Sequence, residues 1–346
     1  MKKLLSGLLL ICFLLGAAAC RKNDYPPVPS TDEEKTVVLT FQKEDGKKYE
    51  VPYELYRAIY LSQKQGDGSE DELREQTIRR IAEIYAVFAL AEQIGFHPFA
   101  ASADKDVQDM VRLSVEGGDG VIGFGGDYDA YLASLREMYL NYGAQDLLFR
   151  YSLSYDAILE YHSDPQKLGA EEIARQTAAA SNYYRSDACV QVLLATLDSA
   201  SFTRARAQEI RDGIAAQRTE TDVRNRIIQF TATAPDDVNV GMLIGTHSLD
   251  DAYFAEVTRA AFALGVGETS EPIEVSDGIT SPRYLILYRV EKSEEYAERH
   301  ADVLLDSYRM NEIGKSLEAV RLDLLAKSEK TDFLTHLDHA LITMDE

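Results

Sequence analysis

The chain has 346 residues, with 36 lysines and arginines against 58 aspartates and glutamates and a formal charge of −22. That length supports two domains and a sizeable core. So acidic a surface is repelled by nucleic acid and by anionic lipid headgroups, which excludes nucleic-acid binding.

Lys2 and Lys3 precede an apolar run from Leu4 to Ala19. The run is shorter than the ~20 residues of a spanning helix and has the length of a signal-peptide core. Residues 1–19 are therefore read as a signal peptide. Cys20, after "GAAA", looks like the lipid-attachment cysteine of a bacterial lipoprotein, although Ala17 stands where the usual box has leucine and the alanine triplet also suits ordinary secretory cleavage. A diacylated cysteine carries the two chains that stable anchoring needs. The expected location is extracytoplasmic, held to the membrane by the N-terminal lipid. Losing Lys2 and Lys3 takes the charge from −22 to −24. Cys12 leaves with the signal, so Cys189 has no disulfide partner and reads as a small buried hydrophobe.

Residues 20–35 are Pro-rich and charged with no apolar period, and read as a lipid-anchored linker. Thr36–Phe41 and Lys47–Val51 flank "EDG", a hairpin with Gly46 in the turn. "YELYRAIYL" begins a helix after Pro52. Ser69 and Glu72 form a capping box ahead of a helix with Thr77, Ile81, Ile84, Tyr85 and Phe88 on one face, ending at Gly95. Helices follow over 104–115 and 128–161, the latter rich in Leu and Tyr at core spacing. "GDGVIG" (118–123) has the letters of a dinucleotide-binding loop but follows a helix, so that reading fails. From Ser186 the texture changes. "CVQVLLATL" and "RYLILYRV" are compact strands, with "FTRARAQEIRDGIAAQ" a helix between them. After Lys292 helix returns, with Ile313, Leu317, Val320 and Leu324 on one stripe, and "HALITMDE" suits a last short strand.

This order resembles the extracytoplasmic foldases of the PrsA and SurA type over nearly the whole mature chain. "TIRRIAEIYAVFALAEQIGF" is similar to the family's long N-terminal helix, and "VQVLLATL" to the first strand of its parvulin-type (PpiC) peptidyl-prolyl isomerase domain. "AAFALGVGETSEPIEV" is similar to that domain's Phe-x-Leu-x-x-Gly-x-x-Ser-x-Pro join. The resemblance implies an α+β protein with a helical chaperone domain at residues 36–185, an inserted parvulin-like domain at 186–292, and a C-terminal helix at 293–346 completing the first. It implies unfolded or partly folded exported proteins as partners, with no cofactor and no metal.

The resemblance also implies two active-site histidines, and the matching positions carry Gln191 and Leu285. The proline pocket falls on Tyr253, Val257 and Phe262, and Asp237 is a candidate acid in the preceding loop. Prolyl isomerisation needs an apolar pocket and a preorganised polar group near the rotating carbonyl. With both histidine positions substituted, the expected function is a membrane-anchored folding factor with a degenerate isomerase site. The alternatives are an active isomerase using Asp237 and bound water, and a structural envelope lipoprotein. His336 and His339 are expected at the surface.

Overall fold

The computed structural model describes residues 25–64, 69–118, 122–198, 201–231, 238, 241–245, 255–275, 283–339 and 342. The fold is α+β with two antiparallel sheets. It divides into two compact units, one of residues up to Tyr161 with Ser316–Glu346, the other His162–Lys315.

In the first unit, β1 (Val37–Gln42) and β2 (Lys48–Pro52) form the expected hairpin. Gly46 turns it at φ +84°, a region glycine enters without steric cost. Helix α1 (Tyr53–Gln63) starts directly after Pro52. Helix α2 (Glu70–Gln93) opens on the capping box, with Ser69 Oγ accepting the Glu72 N–H and the Glu72 carboxylate accepting the Ser69 N–H at 2.9 Å. Its apolar face is buried with Leu39, Phe41 and Val51 of the hairpin. Leu324, Leu334 and Ile342 complete this core, so the chain's last segment returns to the N-terminal sheet. A third strand forms there. Ser328–Lys330 pairs with the free edge of β1, setting Leu39 opposite Lys330. "SEK" has no apolar alternation, so this strand exists only because β1 offers an unpaired edge.

Three more helices, α3 (Ala101–Glu116), α4 (Tyr128–Glu137) and α5 (Tyr142–Ser163), enclose a second core around Val107, Val111, Tyr131 and Leu135. Two expectations are corrected here. The linker is not a free tether throughout, because Tyr25 is buried in this second core and Pro27, Val28 and Ser30 line a cleft. His339 is not at the surface. It is 1 % exposed, with Nε2 2.8 Å from the Tyr56 hydroxyl and Nδ1 2.9 Å from the Leu337 carbonyl, while His336 is exposed. An aromatic wall of Tyr56 and Tyr60 shields the ring, and burial lowers its pKa from the ordinary 6.5.

In the second unit, α6 (Pro165–Arg185) leads into β3 (Cys189–Asp198). Helices α7 (Arg204–Ala215) and α8 (Glu220–Ile228), strand β4 (Met242–Gly245), helix α9 (Ala255–Ala263), and strands β5 (Ile273–Val275) and β6 (Arg283–Val290) follow. The sheet order is β4-β3-β6-β5. Helices α7 and α8 cover one face, packing on Leu193, Ala195, Leu197 and Ile286, and α9 covers the other, packing on Val190, Val192, Leu285 and Leu287. Cover on both faces explains why β3 and β6 read as nearly continuous apolar runs. The division falls outside the sequence boundaries at 186 and 292, because Tyr184 on α6 shares a cluster with Ala297 and Leu304.

Candidate functional site

The glycine-rich join after α9 fixes that helix to the sheet. Gly267, at φ +84°, donates its N–H to the Arg289 carbonyl at 2.8 Å, and Arg289 returns one to Glu268. Ser270 donates to the Leu287 carbonyl at 2.8 Å, while its hydroxyl accepts the Leu287 N–H at 2.9 Å. The chain then enters β5, with Ile273 opposite Leu285. These bonds satisfy the backbone where a helix end meets a strand edge.

Below this join lie Val257 and Leu285, 2 % and 1 % exposed, with Phe262 half-buried beside them. Thr258 Oγ1 is buried without a hydrogen-bond partner among the described residues. On the same face of β6 the Arg289 guanidinium donates to the Phe262 carbonyl at 3.4 Å and to the Leu264 carbonyl, tying the end of α9 to the sheet. Tyr253 and Asp237 lie outside the described residues, as does Cys20.

Gln191 is elsewhere. The β3–β6 register sets Gln191 opposite Val290 and Thr196 opposite Leu285. Side chains alternate between faces along a strand. Gln191 therefore shares the α7–α8 face with Leu193, and Leu285 the α9 face with Val192. The two positions are not brought together. Gln191 is 2 % exposed, and its Oε1 accepts from the Tyr184 hydroxyl at 3.0 Å. The same hydroxyl accepts the Ser293 N–H at 3.0 Å, and Lys292 Nζ donates to the carbonyls of Ser186 and Cys189. The glutamine closes a structural clasp between the start of β3 and the end of β6. Cys189 is buried with its thiol toward the Tyr183 carbonyl, and burial raises its pKa, which keeps it a protonated, unreactive thiol.

The first unit offers a cleft of about 510 Å³, lined by Pro27, Val28, Tyr85, Phe99 and Leu147 together with Glu54 and Arg150. Val28 and Phe99 are 42 % and 51 % exposed, leaving apolar surface open. Arg150 frames one end, bonded to Asp146 and Asp104 and to the Pro98 carbonyl at 2.6–2.7 Å. At the other, Asn141 Nδ2 lies 2.8 Å from Glu34 and 2.9 Å from Glu54. Burial pushes the Glu54 pKa up against donors from Ser30 and Asn141. Burial also acts on Glu34, but the Thr31 N–H, Asn141 and Arg57 outweigh it and hold its pKa down. A Cβ at Gly143 would overlap the Glu54 carboxylate, which would then have to leave its present position. Sequence reasoning missed this cleft. Its members come from six separate stretches that no local spacing links.

Comparison with solved structures gives a consistent set of neighbours. The foldase protein PrsA of Streptococcus pneumoniae aligns over 76 % of this chain and 91 % of its own, at 16 % identity and a TM-score of 0.30. PrsA of Bacillus subtilis covers 90 % and 98 %, at 12 % identity and 0.28. The structure describing PEB4 and Cj1289 as SurA-like chaperones of Campylobacter jejuni covers 66 % and 94 %, at 14 % and 0.23. The structural neighbours are PrsA- and SurA-like foldases. No family model and no curated protein matches.

Proposed function

We propose that this protein is an extracytoplasmic chaperone, anchored by lipid on Cys20, that holds unfolded or partly folded exported proteins and has a parvulin-like unit without effective isomerase chemistry. The observation that supports it most is the open, partly apolar cleft in the first unit, where Val28 and Phe99 leave apolar surface exposed. Holding a client needs exposed apolar surface and no proton transfer. Isomerisation needs a fixed polar group where the amide twists. Leu285 supplies none, and Gln191 is occupied on the opposite face.

Two assays run side by side test this. The chain should suppress aggregation of a reduced, unfolding client at stoichiometric ratios. In a protease-coupled prolyl-peptide assay it should stay near the uncatalysed rate. A rate comparable to that of active parvulins, abolished by Asp237→Ala, would instead establish an enzyme working through that acid.

A further inference from the structure

The segment "YPPVP", Tyr25 to Pro29, is held as a ligand is held. Prolines fix φ at 26, 27 and 29, and each residue before a proline is driven to extended conformations. The segment joins no strand. Its contacts come from side chains. The Tyr25 ring is 8 % exposed in the core of α3 and α4, 5.4 Å from the Tyr128 ring, and its hydroxyl donates to Glu116 at 3.1 Å. Tyr128 in turn donates its hydroxyl to the Pro26 carbonyl at 2.7 Å. Ser30 donates to Glu54 at 2.6 Å. Between these ties, Pro27 and Val28 form one wall of the cleft.

The surface beneath is an aromatic ladder. Tyr128 stacks on Tyr131 at 6.0 Å, and Phe124 meets Tyr131 edge-on at 5.9 Å. The Tyr131 hydroxyl is buried with no hydrogen-bond partner among the described residues, a donor beyond those the segment uses. Aromatic side chains with a hydroxyl aimed at a carbonyl are how proteins bind proline-rich extended chains, whose carbonyls are free and whose ordering cost is small.

We infer that this groove is a recognition site for extended polypeptide carrying a tyrosine followed by prolines, filled in the resting chain by the protein's own Tyr25–Pro29. The inference rests on the reading of the first unit as a client-binding unit and names the client segment it prefers. A tethered occupant competes at the high effective concentration of a short linker. The groove is then free only a fraction of the time, and apparent affinity for a client falls by that fraction.

The test uses the full chain and a fluorescein-labelled Tyr-Pro-Pro-Val-Pro-Ser peptide, read by anisotropy. Tyr25→Ala empties the aromatic socket and should bind the peptide at least about tenfold more tightly than the native chain, with the added tyrosine refilling the cavity. Adding Tyr128→Phe should weaken that binding, and a peptide with alanine for tyrosine should not bind. Pro29→Gly with Ser30→Ala leaves the Tyr25 ring in place and loosens the segment, so it should give a smaller gain even if Tyr25→Ala misfolds. Equal binding by the native chain and every folded variant, or none by any, overturns the inference. Aggregation suppression measured on the same samples separates the two claims. If suppression persists without peptide binding, only the groove assignment fails. If the peptide binds without suppression, the chaperone reading fails and the groove stands.

Discussion

Gly143→Ala is the sharpest structural test, because two simple arguments give it opposite signs. Gly143 is the second residue of α5, where alanine should stabilise a helix by up to about 1 kcal/mol. The Glu54 carboxylate, however, occupies the space a Cβ would need. Glu54 as a residue is 7 % exposed, and its carboxylate accepts from Ser30 Oγ at 2.6 Å and Asn141 Nδ2 at 2.9 Å. Displacing it loses two hydrogen bonds to a charged group at roughly 1.5–3 kcal/mol each, against the helix gain, for a net loss of about 2–5 kcal/mol. Urea unfolding followed by far-ultraviolet circular dichroism reads the change. In a Glu54→Ala background the obstacle is gone and the same substitution should become neutral or stabilising, a reversal that a double-mutant cycle isolates. A stabilising Gly143→Ala in the native background would refute the packing described.

Cys20→Ser should release the protein from membranes into the soluble fraction, and co-sedimentation with membranes as before would remove the anchor. Burial raises the Asp156 pKa from the ordinary 3.8 to about 6, so its folded form holds a proton more tightly than the unfolded chain. That stabilisation is full below pH ~4 and lost as pH rises through 6, so Asp156→Asn should raise stability by about 1–2 kcal/mol at pH 7.5, after allowance for solvent screening, and little at pH 4. His339 acts in the reverse sense. Its pKa is lowered in the fold, so its contribution is present above pH 6.5 and lost as pH falls below it, and His339→Gln should flatten the urea midpoint between pH 7.5 and 5.5. Gln191→His combined with Leu285→His should leave prolyl isomerisation at background, since the two rings would stand on opposite faces of the sheet.

Much of the architecture was legible because local signals agreed with the fold. The Ser69–Glu72 box and the Gly46 turn each satisfy backbone groups within a few residues, so short spacing suffices to read them. The apolar runs at 189–198 and 283–290 declare strands covered on both sides. What stayed hidden depends on distant partners. The strand at Ser328–Lys330 is fixed by the edge of β1, and His339 is buried by aromatics almost 300 positions earlier. Proline-rich composition marked residues 20–35 as extended, which Tyr25–Pro29 has to be. Composition does not reveal that Tyr25 finds a socket among helices a hundred residues away.

The site was the least legible part, and strand register explains why. In an antiparallel pair, opposed residues share a face and the next residue along points the other way. Gln191 opposes Val290 and Thr196 opposes Leu285, so positions 191 and 285 are five steps apart along the ladder, on the order of 17 Å, and lie on opposite faces. A motif match fixes neither parity nor offset, because both strands are mostly apolar on both faces and tolerate a one-residue shift in alignment. The structure assigns Gln191 to a clasp with Tyr184 and Ser293, and Leu285 to the wall packed on Val257. Both residues are accounted for by packing, and neither is left idle for chemistry. On the α9 face of the second unit the Arg289 guanidinium is engaged by the Phe262 and Leu264 carbonyls at the end of α9, while in the first unit Val28 and Phe99 leave apolar surface open.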